Sequence, residues 1–303
     1  MNGDNFILSL ANGTRLALCA GDEAAASVVN FLARAARFSS APSRLPSGVR
    51  RLLVVTAPGR NGISTWVNGA DIVCPLEPTD TLQPRRWQRN PATAPESLTP
   101  EQWRCRQLAR LSTCIAHAAQ PGGVLLHSGL ASLPPPLPPR RGNEGGVLLA
   151  GRSSVGKSTA ARRLPPPWSA LADEATLIVK DEKGVYWAHP WPTWSRFFGS
   201  EKGDGRDTWD VQRAVPLRAI FILEQGEENH VEPMGPGHAV ALLAELARQT
   251  ATHFLHRLPL DEIAAFNRRR FENLCVLVRS VPAYLLHVSL TGAFWEEIAR
   301  TIL

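Results

Sequence analysis

The segment Gly151-Arg152-Ser153-Ser154-Val155-Gly156-Lys157-Ser158 has the residue types and spacing most demanding of a chemical explanation. Its glycines allow backbone angles that curl successive amide N–H groups around an anion. A helix opening behind them adds its dipole and unpaired donors. Lys157 is placed to reach β- and γ-phosphates as a compact charge, and the Ser158 hydroxyl is placed to coordinate Mg²⁺. The flanks agree: Gly146–Ala150 reads as a buried strand, and Thr159, Ala160, Ala161, Arg162 and Arg163 as a helix. The expected ligand is ATP with Mg²⁺, contacted by residues 151–159. Only four of the 33 basic residues are lysines (Lys157, Lys180, Lys183 and Lys202), so an ammonium stands in the loop where arginine is the habit elsewhere.

Downstream, Asp173 and Glu174 are adjacent carboxylates at the entry to an apolar run, Ala175–Lys180. Phosphoryl transfer needs one acid to hold Mg²⁺, and a second can take the proton of an attacking hydroxyl. Both can serve one site only if the strand starts after them, because successive strand residues face opposite ways. Their strand is expected beside the one that carries the loop. His127 closes a short apolar run and titrates near neutrality, so it is a candidate for proton transfer. His189 lies in the aromatic-proline segment His-Pro-Trp-Pro-Thr-Trp-Ser (189–195) and, with Trp187, Trp191 and Trp194, reads as packing. Arg268-Arg269-Arg270 and the group Arg85, Arg86 and Arg89 read as solvated faces.

The elements that must position these residues follow from periodicity and turn signals. Phe6–Leu10 and Arg15–Cys19 flank Asn12-Gly13, a hairpin signal. Asp22 caps a helix over 24–38, with Val28, Phe31, Leu32 and Ala35 on one face. The Ser39–Gly48 stretch breaks that pattern. Arg51–Thr56 and Asp71–Pro75 read as strands, residues 77–100 as a long loop, and Thr99-Pro100 as the start of a helix reaching about Ala119. After a boundary near residue 120, Gly123–His127 reads as a strand with Gly129–Leu133 as its partner. Ala175–Lys180 and Gly184–His189 form a hairpin, and Leu217–Glu224 is a further strand. Pro236–Phe254 and Leu260–Phe271 are amphipathic helices, Tyr284–Val288 a late strand, and 293–303 a terminal helix. Pro165-Pro166-Pro167 stops the helix behind the loop after about two turns. The expected fold class is α/β, with a small α+β segment over 1–120 and a nucleotide-binding domain over 121–303.

Bulk properties narrow the class. The net charge of +6, with a pI near 9.4, comes from scattered basic residues and suits phosphate ligands, with no nucleic acid expected. Cys19, Cys74, Cys105, Cys114 and Cys275 lack zinc-ligand spacing and read as buried or half-buried thiols of a reducing compartment. The N-terminus shows no signal peptide, and no apolar run approaches the roughly 20 residues that span a bilayer. A cytoplasmic protein without membrane association is expected.

The run from Val124 to Val179 resembles the HPr kinase/phosphorylase family and its HPr-kinase-related offshoots. The matching residues are Leu125-Leu126-His127, Gly146–Leu164 and Leu171-Ala172-Asp173-Glu174. ATP-dependent phosphoenolpyruvate carboxykinases share this topology more distantly. The segments Arg163–Trp168, His189–Ser195 and Pro216–Glu224 resemble the kinase-like ScmC proteins of the SynChlorMet peptide-modification cassette, and the similarity covers residues 122–303. The resemblance implies an HPr-kinase-like P-loop fold, ATP on Gly151–Ser158, Mg²⁺ on Ser158 and Asp173, and His127 joining Asp173 in activating an acceptor hydroxyl. That acceptor is a serine or another hydroxyl of a small protein or peptide, and the family's assemblies imply a homo-oligomer. Two departures stand out. Glu174 replaces the family's second aspartate, leaving the base open among Asp173, Glu174 and His127. The glycine-rich signature of the bifunctional enzymes has no counterpart, so phosphorolysis of HPr is not expected. Two other readings stay open: a nucleotide-binding maturation or scaffold protein without transfer activity, and a carboxykinase-like enzyme acting on a small acid.

Overall fold

The computed structural model describes residues 5–42, 45–56, 71–76, 100–119, 122–133, 145–192, 209–255 and 258–302. Among them the chain forms a mixed α/β structure with two sheets and six helices.

The Asn12-Gly13 turn joins β1 (Phe6–Ser9) to β2 (Arg15–Ala20) in an antiparallel hairpin. Asp22 then caps α1 (Glu23–Ala35), its Oδ1 accepting from the Ala25 amide at 2.8 Å. That helix buries Val28, Leu32 and Ala35, while Phe31 is half-buried. It crosses over to β4 (Arg50–Thr56), which runs parallel to β2 and to β5 (Asp71–Leu76). Within the Ser39–Gly48 stretch the chain adds a two-residue edge strand, β3 (Ser39–Ser40), giving the order β3-β1-β2-β4-β5. Of the loop expected at 77–100, residues 77–99 lie outside the described residues and Pro100 opens the next helix.

Helix α2 (Pro100–Ala118) leads into a nine-stranded sheet. Its strands are β6 (Val124–Leu126), β7 (Ser128–Ser132), β8 (Gly146–Ala150), β9 (Ser169–Ala172), β10 (Ala175–Lys180), β11 (Tyr186–Trp191), β12 (Val215–Gln225), β13 (His230–Pro233) and β14 (Ala283–Val288). The order is β6-β10-β11-β12-β8-β7-β9, with β14 also on β12 and β13 beyond it. Strands β8, β12 and β14 are mutually parallel, and the apolar runs of β8 and of central β12 are buried on both faces. On one face Phe221, Leu223 and Leu286 meet Ala160 of α3 (Lys157–Arg163) and Phe294 and Ile298 of α6 (Phe294–Ile302). On the other, Ile220 and Ile222 share a core with Leu243, Leu246 and Ala247 of α4 (Pro236–Leu255) and with Leu274 and Leu277 of α5 (Leu260–Ser280). The same buried cluster takes in Leu8, Leu18 and Leu52 of the five-stranded sheet and Leu32 of α1.

Three element expectations are corrected. Gly129–Leu133 does not pair with the strand before it: β6 pairs with β10, and β7 with β8 and β9. The strand following Asp173-Glu174 is not beside β8, because β11 and β12 intervene. The helix expected to end near Phe271 continues to Ser280, since burial of Leu274 and Leu277 extends its apolar face and no breaker precedes Pro282. No helix among the described residues is long and apolar enough to cross a membrane. None of the five cysteines forms a disulfide; Cys74 and Cys114 are buried.

Candidate functional site

The 151–158 loop leaves the C-terminal end of β8, between β12 and β7. Gly151 sits at φ 154°, and a Cβ there would lie 2.9 Å from Val155 Cγ1 and 3.2 Å from the Leu223 carbonyl oxygen. Only glycine fits that approach. Ser154 at φ 67° and Gly156 at φ 105° are left-handed and turn the loop back before α3 opens at Lys157. Arg152, Ser153, Ser154 and Thr159 are exposed, Val155 and Ser158 half-buried. The Gln225 side-chain amide, from the end of β12, donates to the Ser154 carbonyl at 3.4 Å.

Lys157 is only 5 % exposed. Its ammonium donates to the carbonyls of Gly151 and Arg152, each at 2.9 Å. Burial holds its pKa below the ordinary lysine value, and the charge of Glu174 pulls the other way.

His127 and the acid pair share a second piece of architecture. The chain β6-His127-β7 runs antiparallel to β9-Asp173-Glu174-β10, Leu126 pairing with Thr176 and Leu130 with Ala172. Between those pairs both chains leave the ladder, so the histidine and the acids occupy one bend of a two-chain ribbon. The Thr176 hydroxyl donates to the Ser128 carbonyl across it at 3.1 Å. Strand β10 begins only at Ala175, so pleating does not force the acids apart. Asp173 is 7 % exposed, and Glu174 and His127 are half-buried.

This bend lies within electrostatic reach of the loop. Burial depresses the His127 pKa below its usual 6.5 and the Lys157 charge depresses it further; the Glu174 charge and a hydrogen bond to the Glu174 backbone oppose them. The imidazole is therefore neutral at pH 7, beside a carboxylate that favours its protonated form. Helix α3 packs against β7 and β9, the two strands that enter the bend from the loop side, and its first turn carries Ser158. A serine hydroxyl and an aspartate carboxylate are hard oxygen donors of the kind Mg²⁺ takes.

The structure thus brings Lys157 of the loop, His127 and Glu174 together, with Asp173 next to Glu174 in the same bend, and leaves His189 elsewhere. Its Nδ1 sits 2.6 Å from the Val211 carbonyl, and its Nε2 accepts from the Ala11 amide at 3.2 Å. That pair of partners fixes a neutral Nδ1–H tautomer, and burial pushes the pKa down to about 4 despite the Val211 carbonyl. Trp191 is buried and Trp187 donates to Asp181, while Trp194 lies outside the described residues. Arg269 meets His117, and Arg270 donates to Ala247 and Asn267. Arg85, Arg86 and Arg89 lie outside the described residues.

Two supporting residues escaped the sequence reading. Arg163 donates to the carbonyls of Ser289, at 2.7 Å, and Gly292, and lies over the Phe294 ring, so it hooks the short α3 onto the start of α6. Ser128, paired with Ala150 beneath the loop, has a fully buried hydroxyl without a partner among the described residues. An arginine just before a proline run was the only signal of the first. Nothing marked the second.

Residues 100–303 match the family model described as SynChlorMet cassette protein ScmC, a stretch that begins at α2 and contains every residue of this site. No curated protein matches the chain.

Proposed function

The chain belongs to the ScmC family of SynChlorMet cassette proteins, and from that premise we propose an ATP- and Mg²⁺-dependent kinase of HPr-kinase-like P-loop fold. It phosphorylates a serine or other hydroxyl of a small protein or peptide. The observation that carries this reading is the convergence of His127, Lys157 and Glu174, from three separate segments, at the mouth of a loop whose Gly151 admits no side chain.

In this scheme the amides of 151–159 cradle the triphosphate, and Lys157 exchanges its two carbonyl partners for phosphate oxygens. Mg²⁺, held by Ser158 and Asp173, would neutralise charge on the β- and γ-oxygens. The acceptor hydroxyl loses its proton to His127 as its oxygen bonds to the γ-phosphorus and the bond to the β,γ-bridging oxygen breaks. Glu174 then stabilises the imidazolium. Asp173, nearly buried next to Glu174, orients the hydroxyl. Positioning and charge placement supply most of the rate.

The test is incubation of the protein with γ-labelled ATP, Mg²⁺ and the peptides encoded beside its gene. Label on a peptide hydroxyl supports the reading. Nucleotide binding without transfer to any of them points instead to a maturation or scaffold protein, and absence of nucleotide binding removes both.

A further inference from the structure

We propose that His230, Glu232 and His287 bind a divalent transition-metal ion of the zinc class on the outermost ladder of the large sheet. Strand β13 runs antiparallel to β14 with His230 opposite His287, and Glu232, two residues on, returns to the same face. The imidazoles stack with centroids 4.0 Å apart and planes 10° from parallel. The Nε2 atoms of His230 and His287 lie 3.4 and 3.9 Å from the same Glu232 oxygen. One donor atom from each residue falls within 4.8 Å of the others.

Neither imidazole–carboxylate contact is at normal hydrogen-bond length. As ion pairs they would add little, with His230 and Glu232 side chains 51 % and 58 % exposed. A bound cation gives the three converging donors a common partner. Tetrahedral coordination at about 2.0–2.1 Å places ligand atoms about 3.3 Å apart, so small side-chain rotations close the set. Two imidazoles and one carboxylate select a borderline ion rather than Mg²⁺ and leave coordination positions open to water.

The scaffold is rigid where the ligands sit. Val231 and Leu286, on the opposite face, pack into the core. The Ser289 amide donates to the Asn229 side chain at 2.8 Å, and the Gly226 amide to the Val288 carbonyl at 3.1 Å, closing the turn beside the histidines. A Cβ on Gly226 would lie 3.2 Å from His287 Cβ and 3.7 Å from its Nδ1, so backbone backs the ring on the Nδ1 side and Nε2 is left for the ion. Strand β14 lies across β12 from β8 and parallel to both, so this site and the 151–158 loop lie at the same C-terminal end of these strands. The proposal does not rest on the nucleotide reading.

The experiment is equilibrium dialysis of the chelator-stripped full chain against Zn²⁺, with visible absorption of the Co²⁺ form as a report on ligand type. One equivalent is expected, weakened at least about tenfold in His230→Ala, His287→Ala and the isosteric Glu232→Gln. Far-UV circular dichroism of each variant separates lost ligation from lost fold. Absence of a bound equivalent in the unaltered chain overturns the proposal. So does Zn²⁺ retained in all three variants, as it would be if cysteines held it.

Discussion

At Lys157 one side chain is stabilised by two carbonyls of its own loop while burial works against its charge. A phosphate tail offers that ammonium full negative charge instead, so Lys157→Ala should weaken ATP binding at least about tenfold in calorimetric titration. Asp173→Asn should lower phosphoryl transfer about a hundredfold or more in the labelled-ATP assay. Affinity for the nucleotide without Mg²⁺ should hold within about threefold, because the loop is untouched. The depressed His127 pKa sets the sign of the pH dependence. A neutral imidazole is the competent base, so kcat/KM should stay level as pH falls to 6.5 and decline only below it, as His127 protonates. His127→Gln should remove that acid limb along with most of the rate. A wild-type limb centred above pH 6.5 would show that another group titrates.

Elements matter here through where they start and stop. Helix α3 has seven residues, opens on a left-handed Gly156 and closes before a proline run, so its own hydrogen bonds cannot hold it. Packing on β7 and β9 and the Arg163 hook onto Ser289 and Gly292 hold it instead. Gly156→Ala leaves open space around the new methyl but forces alanine into the left-handed region, at a cost of about 1–2 kcal/mol. Chemical denaturation should show that loss, and nucleotide binding should suffer with it. In the five-stranded sheet Asp22 plays a comparable part, capping α1 and accepting from the Thr56 hydroxyl at 2.8 Å.

Across the whole molecule, His189 ties the β1–β2 hairpin to the large sheet through Ala11 and Val211. Its pKa of about 4 in the fold, against the ordinary 6.5, means the unfolded chain binds a proton first as pH falls. Stability from this group is complete above pH 6.5 and declines towards pH 4, by at most about 3 kcal/mol. Urea denaturation across that window should show the slope, and His189→Asn should flatten it. An unchanged slope in the variant would assign the acid sensitivity elsewhere.

The chain's local signals determined the β1–β2 hairpin, the Asp22 cap, the strand-loop-helix at 146–163 and the β10–β11 hairpin, because turn residues and apolar periodicity act within a few residues. The loop's candidate residues were legible for the same reason: glycine, lysine and serine at fixed spacing are a local requirement. Sheet order was not. That β6 pairs with β10, and that β11 and β12 stand between β10 and β8, is decided by which apolar faces bury one another over long separations. Spacing alone did not show the relation of His127 to the acid pair, which only the family resemblance implied, since it exists only where two paired chains bend together. His230 and Glu232 carry a local clue in their two-residue spacing, but His287 joins them through strand register alone. Spacing along a chain fixes what one segment can offer; burial in the folded core decides which segments meet.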